Sequence, residues 1–153
     1  MCMCNVNANT FFCKNIQKDN NGYSFQGTFT SVDGIINGEE CLLTDCYVVM
    51  LANILESPED NPLDKNIDCK LTLVSKQTGR ATKIADFSLE PQNDVVKKNN
   101  THQCKDFSSR RFLIHLENFV LNSSKGDYIL KLWMRNKEDI DWKIQSMTLL
   151  SVK

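Results

Sequence analysis

Apolar and polar residues alternate with a period of two along most of the chain, the period that sends successive side chains to opposite faces of a β-strand. Tyr23, Phe25 and Phe29 alternate with Ser24, Gln26, Thr28 and Thr30, which predicts a half-buried strand. Gly27 falls where an apolar residue would continue the pattern and marks a bulge or a close backbone approach. A shorter strand over Thr10–Ile16, with Phe11, Phe12, Cys13 and Ile16, precedes it, and Asp19-Asn20-Asn21-Gly22 supplies turn residues that tolerate positive φ. These two runs predict a hairpin. A second hairpin is expected from Asp68–Lys76 and Thr82–Glu90, where Cys69, Leu71 and Leu73 face Ala85, Phe87 and Leu89 across a turn at Gly79.

Arg110–Leu121 resumes the alternation through Phe112, Ile114 and Leu116. Tyr128–Arg135 is the most regular strand, with Tyr128, Leu130, Leu132 and Met134 on one face and Lys131, Trp133 and Arg135 on the other. Trp142–Val152 completes the set. Its parity changes between Trp142/Ile144 and Met147/Leu149, which predicts a bulge near Gln145-Ser146.

Cys41–Leu55 carries two patterns. Leu43, Tyr47, Met50, Leu51 and Ile54 fit a helical face with Thr44 or Asp45 as its N-cap, whereas Cys46, Val48 and Met50 alternate with Tyr47, Val49 and Leu51 as in a strand apolar on both faces. The β-branched residues and the neighbouring strands favour the strand. Glu56–Lys65, with its prolines and acids, reads as a loop, and so does the polar run Pro91–Ser109, which is long for a loop without structure of its own. About eight strands and no convincing amphipathic helix predict an all-β fold, an antiparallel β-sandwich of jelly-roll or C2/Ig-like type. Residues 1–9 are expected to form a flexible N-terminal segment, and residues 10–153 a single sandwich domain.

The order of N-N-G-Y-S-F-Q-G-T-F, Y-V-V-M-L, L-T-L-V followed by T-G-R, and a late K-G-D-Y-I-L-K-L-W-M resembles that of small bacterial single-domain β-sandwich proteins of uncharacterised function. Gly126-Asp127-Tyr128 would then enter the penultimate strand, with Met147–Val152 as a short apolar final strand. The resemblance implies a fold and no activity.

Composition narrows the classes of partner. Eighteen basic and nineteen acidic residues give a net charge of −1, so nothing draws the chain as a whole to nucleic acid or to an acidic membrane. The longest apolar run, Tyr47–Ala52, is six residues against the roughly 20 of a membrane-spanning helix. Neither nucleic acid nor membrane is an expected partner. Residues 1–7 lack a basic region and an apolar block, so no secretory signal is expected there. Seven cysteines, an odd number without framework spacing, suggest a reduced, cytoplasmic protein. Cys13, Cys46 and Cys69 share parity with apolar neighbours and are expected in the core, leaving Cys2, Cys4 and Cys104 as exposed thiols.

Candidate chemistry is sparse. The only histidines are His102, in the polar loop near Cys104, and His115, on the polar face of a strand, and no nucleophile-elbow motif accompanies them. No catalytic residues and no cofactor are expected. Zinc could draw on Cys2, Cys4, Cys13, Cys104 and His102, but no C-x₂-C pair exists; calcium could draw on Glu56, Glu59, Asp60, Asp64 and Asp68 or on Glu138, Asp139 and Asp141, but no EF-hand spacing exists. A calcium- or zinc-dependent binding domain is therefore a third reading.

The more distinctive feature is Trp133 between Lys131 and Arg135, off the apolar face, with Lys143 on the neighbouring strand. An indole flanked by cations could stack on a carbohydrate, a small aromatic molecule or a partner protein; if a second layer covers this face, Trp133 is core instead. The expected function is a non-catalytic binding or protein-interaction module using Lys131, Trp133, Arg135 and Lys143. The alternative is a structural protein that assembles into homo-oligomers through its sheet edges.

Overall fold

The computed structural model describes residues 6–56, 67–89, 108–121 and 125–153; the side chains of Val6, 54–56 and 108–121 lie outside that description. Ten strands are found among these residues: β1 (Val6–Asp19), β2 (Gly22–Phe29), β3 (Ser31–Val32), β4 (Ile35–Asn37), β5 (Glu40–Glu56), β6 (Ile67–Ser75), β7 (Ala81–Leu89), β8 (Ser108–Leu121), β9 (Gly126–Asn136) and β10 (Lys143–Val152). The eight long ones are those the alternation predicts. β3 and β4, at two and three residues, are too short for any period to show.

β2, β1, β5, β4 and β8 form one five-stranded sheet, here sheet A; β3, β10, β9, β6 and β7, in that order, form sheet B. β1 and β8 take opposite edges of β5, because both pair with its residues 47–54. Every pairing is antiparallel except β3 with β10. The inward faces meet in one core. Sheet A contributes Phe12, Leu43, Cys46, Val48 and Met50, and sheet B contributes Leu71, Leu73, Leu130, Leu132, Met134 and Leu150. Fully burying each such side chain is worth about 1.5–3 kcal/mol, so this interface between sheets is the main source of stability.

β1 begins at Val6, so residues 6–9 belong to a strand paired with β5 and not to a flexible segment. Asn7 and Asn9 hide this from the sequence, since asparagine disfavours strands, yet Ala8 between them packs against the core. The predicted loops Glu56–Lys65 and Pro91–Ser109 lie outside the described residues except at their ends. Residues 108–109, assigned to the second loop by polarity, already belong to β8.

Cys41–Leu55 is strand throughout. Its register with β8 shifts between Leu43 and Tyr47, and Asp45 in that interval has φ 50°, a left-handed conformation that aspartate tolerates better than most residues. The buried positions are 41 and 43 before this bulge and 46, 48, 50 and 52 after it, with Val49 buried on the other face. The helix-like set in the sequence draws on both faces of this strand, since Tyr47 and Leu51 alternate with the buried 46, 48, 50 and 52. The bulge predicted near Gln145-Ser146 is also present, since Ile144 pairs with Trp133 and Ser146 with Leu132, leaving Gln145 without an opposite residue.

Gly27 marks a close approach and not a bulge, since the register of β1 with β2 is the same on either side of it. Its φ is 65°, and a Cβ there would stand 3.2 Å from the Cβ of Lys14 on β1.

After β2 the chain crosses to sheet B as β3 and returns to sheet A as β4. The crossing is tied down by Ser151 N–H to Thr30 O at 2.8 Å, Lys153 N–H to Val32 O at 2.9 Å and Gly34 N–H to Lys153 O at 2.9 Å. Gly34 passes directly over Cys41 and Val152, so close that a Cβ would fall 2.3 Å from the Cys41 sulfur.

Candidate functional site

The outer face of sheet B gathers the charged and aromatic residues that alternate with its core set. Pairing register fixes its rows: on β9, Lys131, Trp133 and Arg135; opposite them on β6, Thr72, Lys70 and Asp68; on the other side, on β10, Met147 beside Lys131 and Ile144 beside Trp133. The β9 residues are half-buried, and Trp133 is not part of the core. No second layer of described residues covers the indole.

Why Lys70 joins this cluster follows from its neighbours. Its opposite residue on β7 is Asp86, the obvious ion-pair partner. The Asp86 carboxylate instead binds Lys83 at 2.7 Å, and this hydrogen bond and charge hold Asp86 below the usual carboxylate range. Lys70 turns to the indoles, with Nζ 5.3 Å from the centre of Trp133 and 4.4 Å from the centre of Trp142. Lys131 Nζ lies 5.8 Å from Trp133, and the Arg135 guanidinium carbon 4.3 Å from Trp142. Such contacts contribute about 0.5–1 kcal/mol each at exposed sites.

Hydrogen bonds fix the rings and the cations. Trp133 Nε1–H donates to Thr72 Oγ1 at 2.9 Å. Arg135 Nε donates to Asp68 Oδ2 at 3.4 Å, while Ser88 Oγ donates to Asp68 Oδ1 at 2.9 Å. Arg135 Nη1 also reaches Ile140 O at 3.5 Å, and Asn136 Nδ2 donates to Asp139 Oδ2 at 3.2 Å. These contacts order the connection between β9 and β10, from which Trp142 folds back over Arg135. Beneath it is a shallow cleft of about 280 Å³ lined by Asp68, Asp86, Ser88, Arg135 and Trp142.

The arrangement offers cations beside apolar surface. Neither Lys70 nor Lys131 has a carboxylate partner among the described residues, so both ammonium groups are positioned by π-faces with their donors available. Next to them, along β10, Ile144, Met147 and Leu149 are exposed at 42%, 63% and 48%.

Of the four site residues expected from sequence, the structure brings Lys131, Trp133 and Arg135 together and leaves out Lys143. Lys143 pairs with Met134, a core residue, and so takes the side of the strand opposite to Trp133. Lys70 and Trp142 take the place assigned to it. Trp142 reads in the sequence as the first residue of the last strand, but it precedes β10; the broken parity there was the one available signal.

The other candidate chemistry does not assemble among the described residues. Cys13, Cys41, Cys46 and Cys69 are free and buried, and burial pushes the Cys46 and Cys69 thiols up to about 12. No group of three or more metal-binding side chains occurs among the described residues. Cys2, Cys4, Cys104, His102, Glu59, Asp60 and Asp64 lie outside those residues, as does the side chain of His115, whose backbone pairs with Val49. No described helix is long and apolar enough to cross a membrane.

No protein-family model matches the chain, and no curated protein sequence matches it. Among solved structures, the chain is similar to the CooA pilin subunit from enterotoxigenic Escherichia coli at 9% identity, with 97% of this chain and 95% of that chain covered and a TM-score of 0.35. A similarity this remote does not reach topology or function.

Proposed function

We propose that the protein is a non-catalytic binding module and that its contact surface is the outer face of sheet B around Trp133 and Trp142. The observation that carries this reading is Lys70, held between two indoles on an open face while the carboxylate opposite it is bound elsewhere. The cytoplasmic location suggested by the cysteine inventory belongs to the same proposal, supported by four thiols buried as small core residues.

Photocrosslinking tests the reading. A photoreactive residue at Met147, in cells producing the chain, should give discrete adducts that disappear with Trp142→Ala, whereas the same group at the exposed Tyr23 on β2 should not. Equal patterns from both sites, or none from Met147, would overturn it.

A second reading, assembly through sheet edges, draws support from β10. Beyond the short pairing of β3 with Ser151 and Val152, its outer edge has no partner among the described residues. Light scattering after size exclusion separates the two readings: a stable homo-oligomer favours assembly, and a monomer counts against it.

A further inference from the structure

We propose that the ligand of this face is an acidic, extended polypeptide segment of a partner protein, in which carboxylate and apolar side chains alternate; the inference rests on the binding-module reading above. The face is graded across its strands. β10 presents the apolar row Ile144, Met147 and Leu149, β9 and β6 present Lys131 and Lys70, and β7 ends the gradient with the Lys83–Asp86 ion pair.

An extended segment lying along β9 sends alternate side chains to its left and right with the same two-residue period as the strands beneath it. One set then covers Met147 and Leu149, which stand two residues apart on one face of β10, and the other reaches Lys131 and Lys70. Charge complementarity selects carboxylates for the second set, because those two ammonium groups have no carboxylate partner among the described residues. The apolar row argues against a sugar chain, which would leave it uncovered. The acidic groups bordering the cations, Asp127 at the start of β9 and Asp139 in the turn beyond its end, argue against a flat anionic lipid surface, which would meet them too. A narrow polypeptide avoids them.

The test uses the full chain, isotope-labelled, and three probes followed by NMR: a blocked Glu-Leu-Glu-Leu-Glu-Leu hexapeptide, the same peptide with lysine for glutamate, and phosphatidylglycerol vesicles. The acidic peptide should give saturable shifts at the Trp133 and Trp142 indole N–H groups and at Met147 and Leu149. Lys70→Gln combined with Lys131→Gln should weaken that binding about tenfold, the effect of losing two exposed ion pairs. An unchanged spectrum for that variant outside the face shows that the loss is not one of folding. Equal shifts with the lysine peptide overturn the proposal, as do shifts that appear on concentrating the protein alone, which would make a second copy the occupant. Binding of vesicles without the hexapeptide overturns it in favour of a membrane and leaves the binding face standing. No response to any probe, with the Met147 crosslinks intact, also overturns the acidic segment alone; loss of the crosslinks as well removes the binding face itself.

Discussion

Thr10 Oγ1 on β1 stands 2.7 Å from Thr148 Oγ1 on β10, a hydroxyl contact between the two sheets. With all three contacts made at once, the protons run one way. Thr148 donates its only hydroxyl proton to Thr10 O at 2.9 Å, so Thr10 must donate to Thr148, and Ser146 in turn donates to Thr10 at 2.9 Å. Thr10 is 7% exposed, and Ser146 and Thr148 are half-buried.

Thr10→Val keeps the shape and removes the middle of this relay, leaving Ser146 without its acceptor and Thr148 without its donor. The expected loss is about 0.5–1.5 kcal/mol, the net worth of a typical hydrogen bond, because Ser146 and Thr148 are half-buried. Urea unfolding measures it, and a loss of only a few tenths would mean that water replaces the relay at no cost.

Trp133→Ala should cost about 1–2 kcal/mol and lower Tm by a few degrees, since the ring is half-buried and its truncation gives up one hydrogen bond and two cation contacts. A truncated core aromatic costs about 3–5 kcal/mol. Calorimetry of this variant therefore distinguishes a surface indole from a core one, and a drop in the larger range would contradict the open face.

Much of this face is written in the sequence, but not all of it. The alternation of Leu130, Leu132 and Met134 with Lys131, Trp133 and Arg135 is a property of one strand, and one strand's pattern shows it. Lys70 belongs to the site only because β6 pairs with β9 in a register that puts it opposite Trp133, and because Lys83 takes Asp86 away from it. Both facts join separate strands. Lys143 is misplaced for a related reason: parity within β10 does not say which of Lys143 and Ile144 lies beside Trp133 until the bulge at Gln145 and the pairing with β9 are known. Likewise the helical spacing in Cys41–Leu55 comes from one strand that is apolar on both faces, with Val49 buried opposite Val48 and Met50.

The buried thiols make stability fall at high pH. Cys46 and Cys69 titrate near 12 in the fold, pushed up mainly by burial, against an ordinary value of 9.0. The native state thus holds these protons more tightly than the unfolded chain, so their contribution is complete below pH 9 and is lost as pH rises from about 9 to about 12. Unfolding under reducing conditions should show this decline, and Cys69→Ala should flatten it. In the native state at neutral pH, Cys13, Cys41, Cys46 and Cys69 should resist a thiol reagent and react on unfolding; mass spectrometry of labelled peptides checks each one.

Gly34→Ala should destabilise more than an ordinary surface substitution. The added Cβ meets the Cys41 sulfur at 2.3 Å and a Val152 methyl at 2.8 Å, and overpacking of this kind costs about 1–3 kcal/mol or more. Adding Cys41→Ala should recover part of the loss. If the double variant is simply the sum of the two single ones, the sulfur is not what the new methyl meets.

The same seam sets a schedule for synthesis. Residues 30–34 are made well before their partners on β10 and at Lys153, so the first hairpin leaves the ribosome before the strand that closes this seam exists. Until residue 153 clears the exit tunnel, the slots filled by Leu150 and Val152 stay open to water, and sheet B lacks the strand that flanks β9. The nascent chain thus carries an exposed core face from the first hairpin until β10 is complete, a span in which the strands already made must be kept from pairing elsewhere.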